Sequence, residues 1–184
     1  MGQYAWFEQQ LFGLIGQWAA QSPDPDVCIL LARHARRRAW HAELWDQLLP
    51  TVAGRTATSL VQAPNDAIAE LMTEMAPGPS STAAIEEFLA AVYRVMGPAL
   101  VSTYEDHRAS ASAVAEAPTL RVLDRVLRDQ IADLEEGRLL LDGLSRDRAL
   151  GTSGSGQAHL RDRWTSALGK GWPPMQLGSA GARR

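Results

Sequence analysis

The sequence predicts an all-α protein built from four long helices. Apolar side chains recur every three to four residues in four separate stretches, as in helices that bury one face. No stretch alternates apolar and polar residues with the period of two that a half-buried strand requires. The chain has 184 residues, of which 46% are hydrophobic, so it is long enough to bury one core.

The first two helices are predicted to form an antiparallel pair. Apolar periodicity places the first helix over Tyr4–Ala20 and the second over Pro25–Leu49. The segment QSPDPD at 21–26, with two prolines, breaks the first helix, and Asp24 or Asp26 can cap the second. A link this short forces neighbouring helices to run in opposite directions.

The third and fourth helices are predicted to form a second pair. The third begins at a cap supplied by Ser80, Ser81 or Thr82, and its apolar row continues beyond Pro98, which should kink the helix rather than end it. The fourth opens at Pro118 and carries its apolar row as far as Leu141. Their short connection again predicts antiparallel neighbours.

A long connection separates the two pairs. About 29 residues, 51–79, lie between them and include a predicted short helix at Asp66–Met75. A connection of that length can run back along a 25-residue helix, which is about 37 Å long. We therefore expect a four-helix bundle of two antiparallel hairpins joined by one long crossover. An up-down bundle with an embellished loop is the alternative.

The composition changes near residue 150. Residues 1–150 are predicted to form the bundle, and 151–184 to form a Gly/Ser linker, a short amphipathic helix at His159–Leu168 and a disordered tail. Residues 151–184 hold five basic residues and one acid, so their charge is about +4. Because the net charge of the whole chain is -3, residues 1–150 carry about -7.

The composition limits the kinds of binding partner and the cellular compartment that we expect. The small net charge of -3 gives no argument for nucleic acid, and no apolar run approaches the roughly 18 residues of a membrane span. The single cysteine, Cys28, allows no internal disulfide and fits a reducing cytosol. The N-terminal residues do not form a secretory signal, so we expect a cytoplasmic protein. Seventeen arginines against one lysine are typical of a GC-rich bacterial genome.

Ionisable side chains fall on the faces that the helices bury. His34 and His41 are seven residues apart, close to two turns, and share the apolar face of the second helix. Burying such groups costs free energy unless they are hydrogen-bonded or bind a ligand. The polar residues on or beside the apolar arcs of the four helices are Glu8, His34, Arg37, Arg38, His41, Asp106, His107, Gln130 and Asp133.

This arrangement resembles the ferritin-like superfamily over about residues 4–145. In that superfamily a Glu from each of two helices and a Glu-x-x-His from each of the other two hold a pair of metal ions. Glu8 matches the acid of the first helix, but Arg38-x-x-His41 stands where the second helix should carry Glu-x-x-His. The fourth helix offers Gln130-x-x-Asp133. The resemblance therefore implies a divergent member with a degenerate di-metal pattern.

Two interpretations of these residues remain open. In the first, Glu8 pairs with Arg37 or Arg38, and this pair belongs to a buried network that also includes His34, His41 and Gln130. No metal is bound in this interpretation, and the protein is a non-catalytic scaffold or binding protein. In the second, iron or manganese is held by ligands drawn from Glu8, His34, His41, Asp106, His107 and Asp133, as in a metal-dependent oxidoreductase. A variant of the second has a small-molecule pocket lined by Glu8, His34, His41 and Tyr104. We favour the first interpretation because arginine offers a metal no lone pair.

The outer face of the second helix carries apolar residues as well. Trp40 lies away from the inner arc, on roughly the same side as Cys28 and Ile29. Such a second apolar surface is typical of a protein contact. We therefore expect a homodimer or another protein partner.

Overall fold

The fold class is all-α, as predicted. The computed structural model describes residues 1–77, 81–147, 162–164 and 166–167, and every regular element in these ranges is helical. The elements are α1 (Gly2–Gln21), α2 (Pro25–Asp46), a 3₁₀ turn (Ala57–Leu60), α3 (Asp66–Glu74), α4 (Thr82–Ala90), a π-helical segment (Ala91–Met96), α5 (Gly97–Ser110) and α6 (Ala117–Asp147). Within the described ranges, none of the helices has both the length and the apolar character that crossing a bilayer requires.

The helix starts follow local capping chemistry. The Asp24 carboxylate accepts hydrogen bonds from the backbone N–H groups of Asp26 and Val27 at 2.8 and 3.3 Å, so Asp24 is the cap of α2. The Ser81 hydroxyl does the same for Ala84 at the start of α4.

The prediction for the end of the second helix was wrong by three residues. Helix α2 ends at Asp46 rather than Leu49. The N–H groups of Leu48 and Leu49 donate to the carbonyls of Trp45 and Asp46, each three residues back. The last turn therefore tightens into i→i+3 hydrogen bonds before Pro50. The apolar residues Leu48 and Leu49 lie beyond the end of the α-helix, although they continue its apolar spacing.

Helices α4 and α5 join through the π-helical segment without a break. The helix continues through Pro98, as predicted, although the sequence did not predict the π-helical hydrogen bonds just before it. The N–H of Gly97 donates to the carbonyl of Val92, five residues back. A π segment holds one extra residue per turn, so it rotates the side chains that follow relative to a regular helix.

The helices share one core. The start of α1 lies against the end of α2, where the rings of Tyr4 and Trp45 are 5.0 Å apart. Farther along α1, the Trp18 ring stacks on that of Phe88 in α4 at 4.7 Å. Fully buried apolar residues from the described helices include Ile15, Leu31, Ile68, Leu89, Leu123 and Val126.

The described residues beyond α6 also pack on this core. Residues 162–164 and 166–167 are helical, inside the amphipathic helix predicted at His159–Leu168. Trp164 is buried, with its ring 6.0 Å from that of Phe7. Arg163 pairs with Glu74 of α3 through two hydrogen bonds, at 2.6 and 2.9 Å. The predicted linker at 151–156 and the predicted disordered tail beyond 168 lie outside the described residues.

Candidate functional site

Glu8 of α1 is the centre of a buried polar network. Its Oε1 accepts hydrogen bonds from the Tyr104 hydroxyl at 2.8 Å and from Gln130 Nε2 at 3.0 Å. Its Oε2 accepts from an Arg38 guanidinium nitrogen at 3.4 Å. Glu8, Tyr104 and Gln130 are all fully buried. Side chains from α1, α2, α5 and α6 thus meet at one carboxylate, and its lone pairs are largely used by protein donors.

Arg38 bridges this carboxylate to a second one. One terminal nitrogen of its guanidinium contacts Glu8, and the other lies 3.8 Å from Oδ2 of Asp133. Arg38 is 1% exposed and Asp133 is fully buried. A buried cation is tolerable only where anions surround it, and here two carboxylates from different helices do so.

His41 lies on the other side of Glu8. Its Nδ1 is 3.8 Å from Glu8 Oε1, and its Nε2 is 3.3 Å from Asp129 Oδ2. Asp129 is partly exposed and also accepts from Arg125. His41 therefore links the buried carboxylate to the acidic side of α6.

His34 belongs to a neighbouring group, which we call the edge cluster: His34, Asp133 and Glu136. His34 Nε2 is 3.2 Å from Asp133 Oδ1 and 3.0 Å from Glu136 Oε2. His34 and Asp133 are buried, whereas the side chain of Glu136 is 40% exposed. The cluster therefore reaches from the interior to the surface.

Two arginines of α2 pair with the acids of the edge cluster. Arg37 donates to Asp133 Oδ1, and Arg33 donates to Glu136 Oε2 at 2.6 Å. Together with the Arg38–Glu8 pair, they balance the carboxylates without a metal.

Burial and neighbouring charges set the protonation of these groups. Burial acts to raise the pKa of Glu8, but Arg38, the nearby His41 ring and the hydrogen bond from Tyr104 outweigh it and hold that pKa below its usual value. Burial lowers the pKa of His34 to about 4, against the opposing effect of its hydrogen bond with Glu136. At neutral pH, Glu8 is therefore charged and His34 is a neutral imidazole.

The pKa of Asp133 shifts in the opposite direction from that of Glu8. Burial raises the pKa of Asp133 to about 6, although Arg38 and Arg37 act to lower it. Glu136, at the exposed edge, has its pKa lowered by the hydrogen bond with His34. Both acids are predominantly ionised at neutral pH, so each accepts hydrogen bonds and does not donate them.

Tyr93 fixes the orientation of the His34 ring. Its hydroxyl lies 2.7 Å from His34 Nδ1, and burial raises its pKa above the usual value, so it stays protonated. Since Nε2 faces ionised carboxylates, it must carry the ring hydrogen. Nδ1 then accepts from Tyr93.

The π-helical segment brings Tyr93 to this place. Tyr93 lies in the middle of that segment and is fully buried. A Cβ added at Gly137 would lie 2.3–2.5 Å from ring atoms of Tyr93, so a residue without a side chain is needed opposite the ring.

The two predicted candidates near the end of α5 lie apart from Glu8. His107 is buried; its Nδ1 is 3.1 Å from the Tyr4 hydroxyl and its Nε2 is 3.7 Å from Glu116. Burial lowers the pKa of His107. Asp106 is exposed. The site therefore draws together Glu8, His34, Arg37, Arg38, His41, Gln130 and Asp133, and leaves Asp106 at the surface.

Sequence reasoning missed Asp129, Glu136 and Tyr93. Glu136 follows Asp133 by one turn, and such i, i+3 pairs share a helix face, so this signal was available. The sequence did not predict a role for Tyr93, because the spacing of apolar residues does not reveal the π-helical segment that positions it.

The central residues do not fit a pair of metal ions. The Arg38 guanidinium occupies the space between Glu8 and Asp133, the two buried acids that would have to bridge such a pair. A guanidinium adds positive charge and offers no lone pair. Tyr104 and Gln130 already donate to Glu8.

Comparisons with protein-family models, with curated proteins and with solved structures found no match to this chain.

Proposed function

We propose that this protein is a divergent ferritin-like four-helix bundle that acts as a non-catalytic scaffold or binding protein. In this proposal a buried arginine takes the place of a metal pair and holds the bundle together. The bundle consists of α1, α2, the helix from α4 to α5, and α6.

Contacts between the helices support the ferritin-like connectivity. Tyr4 meets Trp45 and Glu8 meets Arg38, so α1 and α2 run in opposite directions. His34 meets Tyr93, and the rings of Trp45 and Tyr104 are 5.6 Å apart, so α2 and the α4–α5 helix run the same way. Parallel neighbours need a connection that returns along the bundle, and in this proposal the long stretch between α2 and α4 forms it.

The bridging position of Arg38 carries the proposal of a non-catalytic role. Two-metal oxidation needs several carboxylates around the ions and open coordination positions. Here the interior supplies Glu8 and Asp133, and Arg38 contacts both of them. The charges of Glu8 with Arg38, and of Asp133 with Arg37, balance within the protein. These contacts favour a structural network over a di-metal centre.

Ferrous iron oxidation and metal analysis test this proposal directly. The chain, purified without chelator, is incubated with Fe²⁺ in air, and oxygen uptake and bound iron are measured beside a His41→Ala variant. We expect oxygen uptake at the buffer rate in both proteins. Rapid uptake with two irons per chain, both lost in His41→Ala, would overturn the proposal.

The homodimer or other protein partner stays a prediction. Ile29 is 65% exposed and Trp40 is 37% exposed, and their separation of about three helical turns puts both on one face of α2. The Arg125 guanidinium lies 4.7 Å from the centre of the Trp40 ring. Light scattering of the wild type and Ile29→Glu tests it: a dimer that becomes a monomer in the variant supports a homodimer through this face.

A further inference from the structure

We propose that the edge cluster is a site for a single divalent transition-metal ion, with His34 Nε2 and one oxygen each from Asp133 and Glu136 as ligands. The site shares Asp133 with the Arg38 network, but His34 lies one helical turn before Arg38 on α2 and Glu136 one turn beyond Asp133 on α6, so its ligand set differs from the di-metal arrangement considered above. It goes beyond the proposed function and does not depend on it.

The spacing of the ligand atoms suits one ion. The three ligand atoms all lie within 4.8 Å of one another. Tetrahedral Zn²⁺ with bonds of about 2.1 Å places its ligand atoms about 3.4 Å apart. The separations of His34 Nε2 from Asp133 and Glu136, 3.2 and 3.0 Å, are already close to that value. Small side-chain rotations would complete the site.

The helices hold the ligands from two sides. Asp133 and Glu136 are one turn apart on α6, so both carboxylates face the same neighbour. His34 projects from α2 between them. Three protein ligands at a partly exposed edge leave a fourth position open to water, as in zinc sites that are not purely structural.

Tyr93 supplies the second layer of such a site. A metal-bound imidazole needs a partner for its other ring nitrogen, and the Tyr93 hydroxyl is 2.7 Å from Nδ1. A hydroxyl can donate or accept. When a metal takes Nε2, the ring hydrogen moves to Nδ1 and Tyr93 becomes the acceptor, so the neutral ring needs no new partner.

Arginines compete with the metal for the same carboxylates. Arg33 pairs with Glu136 but its side chain is 52% exposed, and Arg37 pairs with Asp133 while 26% exposed. The Arg33–Glu136 pair is exposed and contributes little stability, so Arg33 can turn toward water. Displacing Arg37 costs more because Asp133 is buried, and the charge of the metal ion replaces that of the guanidinium there. Imidazole with two carboxylates suits Zn²⁺, Mn²⁺ or Fe²⁺, and Zn²⁺ is the most practical probe.

Calorimetric titration of the chelator-treated full chain with Zn²⁺ tests the proposal. We expect one Zn²⁺ per chain and at least tenfold weaker binding in Glu136→Gln. Glu136 is partly exposed, so this variant should keep its fold, which circular dichroism checks. Glu135→Gln, at the exposed neighbouring position, is the matched control and should bind like the wild type.

A second variant tests the competition. Arg33→Gln removes the cation from Glu136 and should strengthen Zn²⁺ binding several-fold. Unchanged affinity in Glu136→Gln would overturn the site, as would the absence of Zn²⁺ binding in the wild type. Loss of binding in Glu116→Gln instead would assign the metal to His107 and Glu116, and would also overturn it.

Discussion

Arg38 of α2 and Glu8 of α1 form an ion pair at 3.4 Å with both side chains almost completely removed from solvent. Such a pair contributes less to stability than its Coulomb attraction suggests, because both charges lose their hydration. Removing one partner is nevertheless costly, because the other charge stays buried and unpaired. The network of Glu8, Arg38 and Asp133 is therefore sensitive to loss of its central cation.

Arg38→Met is expected to destabilise the protein by about 3–5 kcal/mol, since it leaves Glu8 and Asp133 without their shared cation. Urea unfolding followed by circular dichroism measures this change. The control is Arg36→Met, two residues earlier on the exposed side of α2, which should change stability by less than about 0.5 kcal/mol. Equal effects of the two substitutions would show that Arg38 has no special role.

The lowered pKa of Glu8 predicts that the free energy of unfolding falls in acid. Its folded pKa lies below the unfolded value of 4.5, so its contribution to stability is complete above pH 4.5 and is lost as the pH falls through the folded pKa. The free energy of unfolding is measured for the wild type and Glu8→Gln at pH 7 and at about pH 3. We expect the wild type to be more stable at pH 7 and the difference to shrink at pH 3. A difference that is the same at both values would contradict this assignment.

The helices and the members of the central network could be predicted from sequence because both follow the 3.6-residue period. The same period that buried Leu31 and Trp45 also placed His34, Arg38 and His41 on the inner face of α2. The partners were harder to predict. Whether Glu8 would meet Arg37 or Arg38 depends on the rotation of α1 against α2, which one sequence does not specify.

The edge cluster was harder still. Its position depends on Tyr93, which the π-helical segment holds against His34. The apolar row of the third predicted helix fits an uninterrupted α-helix, so the sequence did not predict hydrogen bonds of the π type. Glu136 was overlooked for another reason. It lies at the margin of the buried face of α6, where ordinary surface acids also occur, so its position in the sequence does not distinguish it from them.

Tyr104→Phe tests the hydrogen bond to Glu8. The substitution removes only the hydroxyl, which donates to a charged and buried carboxylate at 2.8 Å, so we expect a loss of about 1.5–3 kcal/mol. In a Glu8→Gln background the same change should cost less, because the acceptor is no longer charged. Urea unfolding of the four proteins gives the coupling energy. Additive effects of the two substitutions would show that the hydrogen bond is not formed in solution.

Gly137 and Gly143 of α6 form a matched pair for testing the packing of Tyr93. Alanine favours a helix over glycine by about 0.5–1 kcal/mol, so Gly143→Ala, whose Cβ would meet no described atom within 4 Å, should stabilise the protein by that amount. At Gly137 the same Cβ would lie 2.3–2.5 Å from Tyr93 ring atoms, and crowding of this kind costs about 1–3 kcal/mol. We therefore expect Gly137→Ala to be destabilising overall, by urea unfolding, with its effect opposite in sign to that of Gly143→Ala. A stabilising Gly137→Ala would mean that the Tyr93 ring does not lie against α6, and the support of His34 by Tyr93 would then have to be abandoned.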